Sequence, residues 1–155
     1  MLPTKSKIVT LSKLLAWRRA QAKAGKKVVF TNGCFDILHS GHVRILEASR
    51  SKGDALIVGL NSDASVRRIK GPERPVNGQK DRAIVLASLE AVDRIVIFGE
   101  DTPLKLLSAV RPDVLIKGAD YRKDQIIGRE YAAKVVRIPL VKGKSTTSII
   151  KRCGA

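Results

Sequence analysis

The sequence predicts an α/β fold, a doubly wound parallel five-stranded sheet with helices on both faces. Three observations predict it. Short apolar runs of strand length alternate with segments of helical period along the chain. One run, Ala55 to Asn61, is apolar almost throughout, as in a strand covered on both faces. No repeat, linker or low-complexity tract divides the 155 residues, a length that suits one domain with a real core.

The elements follow in order. Thr10 to Ala24 puts Leu11, Leu14, Leu15 and Ala22 near helical spacing, with Thr10 as cap and Gly25 as stop. Residues 1–26 are expected to form a small helical extension packed on a domain spanning 27–155. Lys27 to Asn32 is the first strand, and His42 to Lys52 a helix stopped by Gly53. After the strand Ala55 to Asn61, Asp63 to Ile69 reads as a short helix. Lys70 to Gly78 carries turn residues and reads as a loop, and Lys80 to Leu89 returns to helix. Arg94 to Phe98 is a strand, Pro103 to Val110 a helix, and Val114 to Lys117 a strand. Gly118 to Gly128 is a polar loop, with a short helix expected at Arg129 to Lys134. The last strand is Val135 to Pro139 and the last helix Ser145 to Arg152.

In such a sheet, ligands bind outside the carboxyl ends of the strands. The first strand runs into Gly33-Cys-Phe-Asp-Ile-Leu-His-Ser-Gly-His42, which puts His39 and His42 at a strand-to-helix junction. Free N–H groups at a helix start favour a phosphate. Two imidazoles there can donate hydrogen bonds to oxygens that gain charge in phosphoryl or nucleotidyl transfer. Gly41, without a Cβ, allows close approach to the backbone. A zinc site is disfavoured, because the chain holds two histidines and no third Cys or His near them. Cys34 reads as a small residue in a tight turn rather than a nucleophile. Asp36 either orients a motif histidine, lies near a metal, or caps the turn.

Three further segments should reach the same edge. Lys70, Arg74 and Arg82 could meet phosphate oxygens at its mouth. Lys117-Gly-Ala-Asp-Tyr121 follows the strand Val114-Leu-Ile116. Gly143-Lys-Ser-Thr-Thr-Ser148 opens the last helix with hydroxyls and free N–H groups.

Thirty Lys and Arg against 14 Asp and Glu leave a formal charge of +16. The cations are scattered rather than blocked and aromatics are only 4%, which favours steering of small anions over a nucleic-acid surface. No apolar run approaches the roughly 18 residues that span a bilayer. There is no secretory pattern at Met1 to Lys13, and Cys34 and Cys153 form no metal or redox motif. A reduced, cytoplasmic protein is expected, with no membrane partner and nucleic acid disfavoured.

The ten-residue motif resembles the G-x-F-D-x-x-H-x-G-H signature of the cytidylyltransferase-like nucleotidyltransferases. Within that family the chain is most similar to the heptose 1-phosphate adenylyltransferases, over about residues 26–152. The similarity rests on Asn61-Ser-Asp-Ala-Ser65, Lys70-Gly-Pro-Glu-Arg-Pro-Val-Asn77, Leu89-Glu-Ala-Val-Asp93, Glu100-Asp-Thr-Pro103, Arg111 to Tyr121 and Ser145-Thr-Thr-Ser-Ile-Ile150. The chain departs from it in a short segment between Tyr131 and Val135. The glycerol-3-phosphate cytidylyltransferases share the histidine motif and the Ser-Thr-Thr ending, but not the Lys70 to Asn77 loop or the Lys117 to Tyr121 segment.

The resemblance implies a Rossmann-like fold and transfer of AMP from ATP to D-glycero-β-D-manno-heptose 1-phosphate. The products are ADP-heptose, a lipopolysaccharide core precursor, and pyrophosphate. It implies catalytic roles for His39, His42 and Lys70. The nucleotide would meet Thr31, Asn32, Gly33, Cys34, Phe35, Gly41, Arg82, Gly118, Asp120, Tyr121, Ser145, Thr146 and Thr147. Asp36, Arg44, Asn61 and Arg74 are the acceptor candidates. Mg²⁺ would be held mainly by ATP phosphates, with no protein metal ligands. A separate sugar kinase would supply the acceptor, and a homodimer is expected. The alternatives are a glycerol-3-phosphate cytidylyltransferase or other small-acceptor nucleotidyltransferase, and, in another class, a basic nucleic-acid-binding module.

Overall fold

Apolar residues of alternating direction build the first strand. In β1 (Val28–Gly33), Val28 and Phe30 point into one core and Val29 into the other, since side chains alternate across a sheet. The computed structural model describes residues 3–139, 141 and 143–154. Met1, Leu2, Leu140, Lys142 and Ala155, which fall within the ranges 1–26 and 27–155, lie outside the described residues. The other strands are β2 (Ala55–Asn61), β3 (Arg94–Phe98), β4 (Val114–Gly118) and β5 (Lys134–Ile138). They pair in parallel in the order β3-β2-β1-β4-β5. β2 is buried along all seven residues, in keeping with its apolar run.

Helices cover both faces. Leu46 of α3 (Ser40–Arg50) and Ala83, Leu86 and Ala87 of α5 (Gln79–Ala87) pack with Val29, Leu56 and Val58 on one face. Leu14 of α2 (Leu11–Lys23) and Leu106, Leu107 and Val110 of α6 (Leu104–Val110) pack with Phe30 and Ile57 on the other. α4 (Asp63–Lys70) follows β2, and α7 (Thr146–Arg152) closes the described chain. Thr10 caps α2, its Oγ1 accepting from the Lys13 N–H. A short α1 (Thr4–Lys7) precedes it, and Ile8 bridges in parallel to Ile95. None of the described helices is long and apolar enough to cross a membrane.

Aspartates fasten the amino edge. Asp54, Asp113 and Asp93 accept from the N–H groups of Lys27, Val28 and Leu56 at 2.7, 2.7 and 2.8 Å. Each carboxylate follows a turn and ties the start of one strand to the chain entering its neighbour. After β1 the chain adds strands to one side and then crosses to the other, so β1 and β4 flank the switch point.

The structure shifts several boundaries. α3 begins at Ser40 rather than His42, because extended His39 takes the N-cap position and His42 closes the first turn on its carbonyl. The helix expected at Arg129 to Lys134 is a single turn, Arg129–Tyr131, because Lys134 already pairs with Val114 in the sheet. A similar turn, Lys123–Gln125, interrupts the loop before it. α1 was not expected, since four polar residues carry no helical stripe.

Candidate active site

The carboxyl ends of β1, β2 and β4 open into a cleft of about 530 Å³. The turn after β1 forms its floor. Thr31, Asn32, Gly33, Cys34 and Phe35 line it in succession. Phe35 takes a left-handed φ of 44°, a conformation uncommon for a bulky residue. Its ring is nearly buried and meets His42 edge-on at 5.2 Å. The turn is thus locked by the ring that supports the second histidine.

His39 and His42 stack with centroids 3.8 Å apart and planes 23° from parallel. The His39 and His42 Nδ1 atoms are buried without a hydrogen-bond partner among the described residues. Burial pushes the His42 imidazole down to about 4, and neighbouring His39 adds to the shift. Burial also lowers His39, helped by the Lys144 ammonium. At neutral pH both rings are therefore uncharged, each with one N–H to give. Gly41 is required between them: a Cβ there would come within 2.9 Å of the His39 ring and 3.1 Å of Lys144. The close approach is by the protein's own side chains, although Gly41 also lines the cleft.

Asp36 anchors the loop that follows α4. Its carboxylate accepts from the Arg74 guanidinium and from the N–H groups of Val76 and Asn77 at 2.9 and 3.0 Å. Burial pushes the carboxyl up, but the two backbone N–H groups and Arg74 outweigh it and hold Asp36 below the usual carboxylate range. Of the roles open to Asp36, the structure shows a brace on the turn. As an acceptor ligand it is a poor candidate, because it is 2% exposed and its oxygens are occupied. Arg74 and Lys70 both line the cleft, Lys70 with its side chain exposed. Cys34 is raised by burial, against the pull of Lys70, Arg82 and Arg74, so it is a protonated thiol.

Arg82 corrects an expectation. It does not line the cleft, and only 2% of it is exposed. Its guanidinium donates to the carbonyls of Cys34, Asn61 and Asn77 and to the Asp63 carboxylate. Five N–H donors in a rigid fork suit a hub that joins the turn after β1, β2, α4 and the loop. In this structure it braces the elements behind the cleft rather than facing a ligand. Arg44 is also corrected: it is exposed on α3 and does not line the cleft. Asn61 does line it, but its amide donates to Ser65 Oγ at 2.9 Å.

The far wall comes from β4 and α7. Gly118, Asp120 and Tyr121 form the rim, and Ser145, Thr146 and Thr147 face it. Ser145 caps α7 by accepting from the Ser148 N–H at 3.1 Å. Thr146 Oγ1 donates to the Ile37 carbonyl at 3.3 Å, which ties α7 to the motif turn across 109 positions. Lys117, for which the sequence assigns no individual role, also lines the cleft. Its ammonium donates to Asn32 Oδ1, and burial lowers it to about 8. The signal is its position: a lysine near the end of an apolar strand at the ligand-binding edge. Lys144 lines the cleft as well.

The cleft has the chemistry of an anion site. Asp36 and Asp101 are neutralised by Arg74 and Arg68, and Lys70, Lys117 and Lys144 outnumber the remaining lining carboxylate, Asp120 at the rim. Among the described residues no three of His, Cys, Asp and Glu come together to cage a metal ion.

Residues 30–152 match the family described as cytidylyltransferase-like, and the chain belongs to that family of nucleotidyltransferases. The chain is 60% identical over 130 residues to the "Bifunctional protein HldE" of Campylobacter concisus, covering 84% of this chain and 28% of that protein. It is 52% identical over 151 residues to the protein of the same name from Geotalea uraniireducens, covering 95% and 31%. The chain thus spans under a third of these relatives. Among solved structures it resembles a lipopolysaccharide core biosynthesis protein from Thermoplasma volcanium, with a TM-score of 0.66, 29% identity, and coverage of 76% of this chain and all of that one. A pantoate-beta-alanine ligase from Francisella tularensis shares the fold, with a TM-score of 0.64, 17% identity and coverage of 94% and 72%.

Proposed function

We propose that this domain transfers AMP from ATP to D-glycero-β-D-manno-heptose 1-phosphate, releasing pyrophosphate and ADP-heptose. The observation that carries nucleotidyl transfer is the stacked, uncharged pair His39 and His42 at the start of α3, inside a cationic cleft at the sheet's switch point. The acceptor is supported by the Lys70 to Asn77 and Lys117 to Tyr121 segments, which resemble the heptose enzymes. The likeness to a lipopolysaccharide core biosynthesis protein agrees with it.

An oxygen of the acceptor phosphate attacks the α-phosphorus of ATP in line, and the bond to the pyrophosphate oxygen breaks. The nucleophile is already ionised, so no general base is needed; catalysis consists of positioning and charge stabilisation. His39 and His42 donate to the α-phosphate oxygens as charge builds on them. Ser145, Thr147 and Lys144 meet the β- and γ-phosphates, while Lys70 and Arg74 meet the acceptor phosphate from the opposite wall. Mg²⁺ carried by the triphosphate would add charge neutralisation; of the cleft carboxylates, Asp36 and Asp101 are already engaged by arginines and Asp120 stands at the rim. The enzyme would work in the cytoplasm, downstream of a kinase that phosphorylates the sugar at its anomeric carbon.

The test is a pyrophosphate-release screen of ATP and CTP against heptose 1-phosphate, glycerol 3-phosphate and flavin mononucleotide. The highest kcat/KM is expected for ATP with heptose 1-phosphate. A preference for CTP with glycerol 3-phosphate would overturn the acceptor and leave the transfer chemistry standing. Absence of pyrophosphate release with every pair would overturn both.

A further inference from the structure

Lys117 is unlike the other cleft cations. Lys70 and Lys144 are exposed, and Arg74 has the Asp36 carboxylate. Lys117 is half-buried, and its ammonium has a neutral partner, the Asn32 amide oxygen. It forms no ion pair among the described residues, because Asp36 and Asp101 are held by Arg74 and Arg68 and Asp120 is exposed at the rim. The Tyr121 ring, 5.9 Å away and itself half-exposed, does not replace a counter-charge. Desolvating an ammonium without an anion is unfavourable, and the lowered pKa of Lys117 expresses that.

The position of the side chain says which anion is missing. Asn32 lies one residue from the end of β1 and Lys117 one residue from the end of β4, so their hydrogen bond spans the crevice where a doubly wound sheet binds its ligand. The same cleft holds His39 and His42 on one wall and Ser145 and Thr147 on the other. We propose that Lys117 touches the substrate directly, its ammonium, aimed by Asn32, binding a phosphate oxygen of the nucleoside triphosphate. This rests on the nucleotidyl-transfer reading. The charged head stays undercompensated until the nucleotide arrives. Asn32 then acts as a positioning residue, since its amide oxygen can accept from Lys117 but gives the phosphate nothing in that direction.

The experiment compares wild type, Lys117→Met and Lys117→Arg by calorimetric titration with Mg-ATP and with adenosine, alongside thermal melting without ligand. Lys117→Met keeps the stem and removes the charge. Its affinity for Mg-ATP should fall about tenfold or more, with adenosine changed less than about twofold, because a charged hydrogen bond to phosphate is lost. Lys117→Arg should recover most of the ATP affinity. Ligand-free Lys117→Met should melt at or above wild type, because an unpaired, desolvated charge has gone. Lys117→Gln gives the same comparison should the methionine variant fold poorly. Equal losses for ATP and adenosine would overturn the proposal and make Lys117 a wall of the nucleoside pocket. Unchanged ATP affinity, or a lower melting temperature with affinity unchanged, would overturn it and leave a structural brace on Asn32. Failure of wild type to bind Mg-ATP would instead remove the nucleotidyl-transfer reading on which the proposal stands.

Discussion

Replacing Asp36 with Asn tests whether the motif turn and the loop after α4 are one mechanical unit. The carboxylate is almost fully buried and accepts from Arg74, Val76 and Asn77. Asn keeps the shape but removes the charge and turns one acceptor into a donor. That donor must face either Arg74 or a backbone N–H, which leaves at least one buried group unmatched. Breaking a buried ion pair from one side costs about 3–5 kcal/mol. A total stability of roughly 5–15 kcal/mol makes that a large share. At about 2–4 °C per kcal/mol for a chain of this size, the melting temperature should fall by roughly 6–20 °C at pH 7. The pH dependence has a definite sign. Because the folded pKa of Asp36 lies below its ordinary value, its contribution is present above about pH 4 and is lost as pH falls through the folded pKa. The gap between wild type and variant should therefore narrow below pH 4. Freed from its anchor, Arg74 should also raise the KM for the sugar phosphate more than it lowers kcat. Denaturant unfolding at several pH values and steady-state kinetics decide it. A melting temperature within 2 °C of wild type at pH 7, or a stability gap that grows in acid, would refute the reasoning.

Other outcomes follow from the same geometry. His39→Ala and His42→Ala should each lower turnover about a hundredfold or more while circular dichroism shows a folded protein; near-normal turnover in a folded variant would remove the catalytic role. Because the folded His42 is pushed down to about 4, wild type should lose stability as pH falls from 6.5 towards 4, and His42→Gln should lose less over that window in urea unfolding. Arg82→Met should cost about 3–5 kcal/mol in denaturant unfolding, since Asp63 and the carbonyls it bridges lose their donor. A stable Arg82→Met protein with weakened ATP binding would return that arginine to the nucleotide site.

The sheet was legible because its strands are apolar runs, and burial on both faces leaves little else at those positions. β2 is the clearest case: every residue of Ala55–Asn61 is buried. The histidine site was legible because the chemistry is local, with both imidazoles, Gly41 and the supporting Phe35 within one turn of chain. What sequence alone did not give was the direction of long polar side chains. Arg82 finds Cys34 across 48 positions, and nothing local announces that contact. A partial signal existed: Arg82, Ala83, Leu86 and Ala87 form the buried stripe of α5, so a charge there had to be paired inside the protein. Lys117 is a second case. The sequence places it after Val114-Leu-Ile116 at the carboxyl edge, and only the hydrogen bond to Asn32 shows that its head stays down in the cleft.

The charge imbalance of the chain acquires a meaning once the edges of the sheet are compared. Asp54, Asp93 and Asp113 are spent on fastening strand starts, far from the cleft. At the opposite edge Asp36 and Asp101 are cancelled by arginines, and Lys70, Lys117 and Lys144 are left against the one rim carboxylate of Asp120. The proposed reaction must bring a triphosphate and a sugar phosphate into contact, and like charges at such range repel strongly inside a low-dielectric cleft. Surplus cations on both walls offset that repulsion before any bond changes. The histidines differ in kind. Held neutral by burial, they bind the resting α-phosphate only modestly, and their N–H groups gain most as charge accumulates on its oxygens in the transition state. Permanent charge thus serves to assemble the two anions, while the uncharged pair is reserved for the step in which the charge moves.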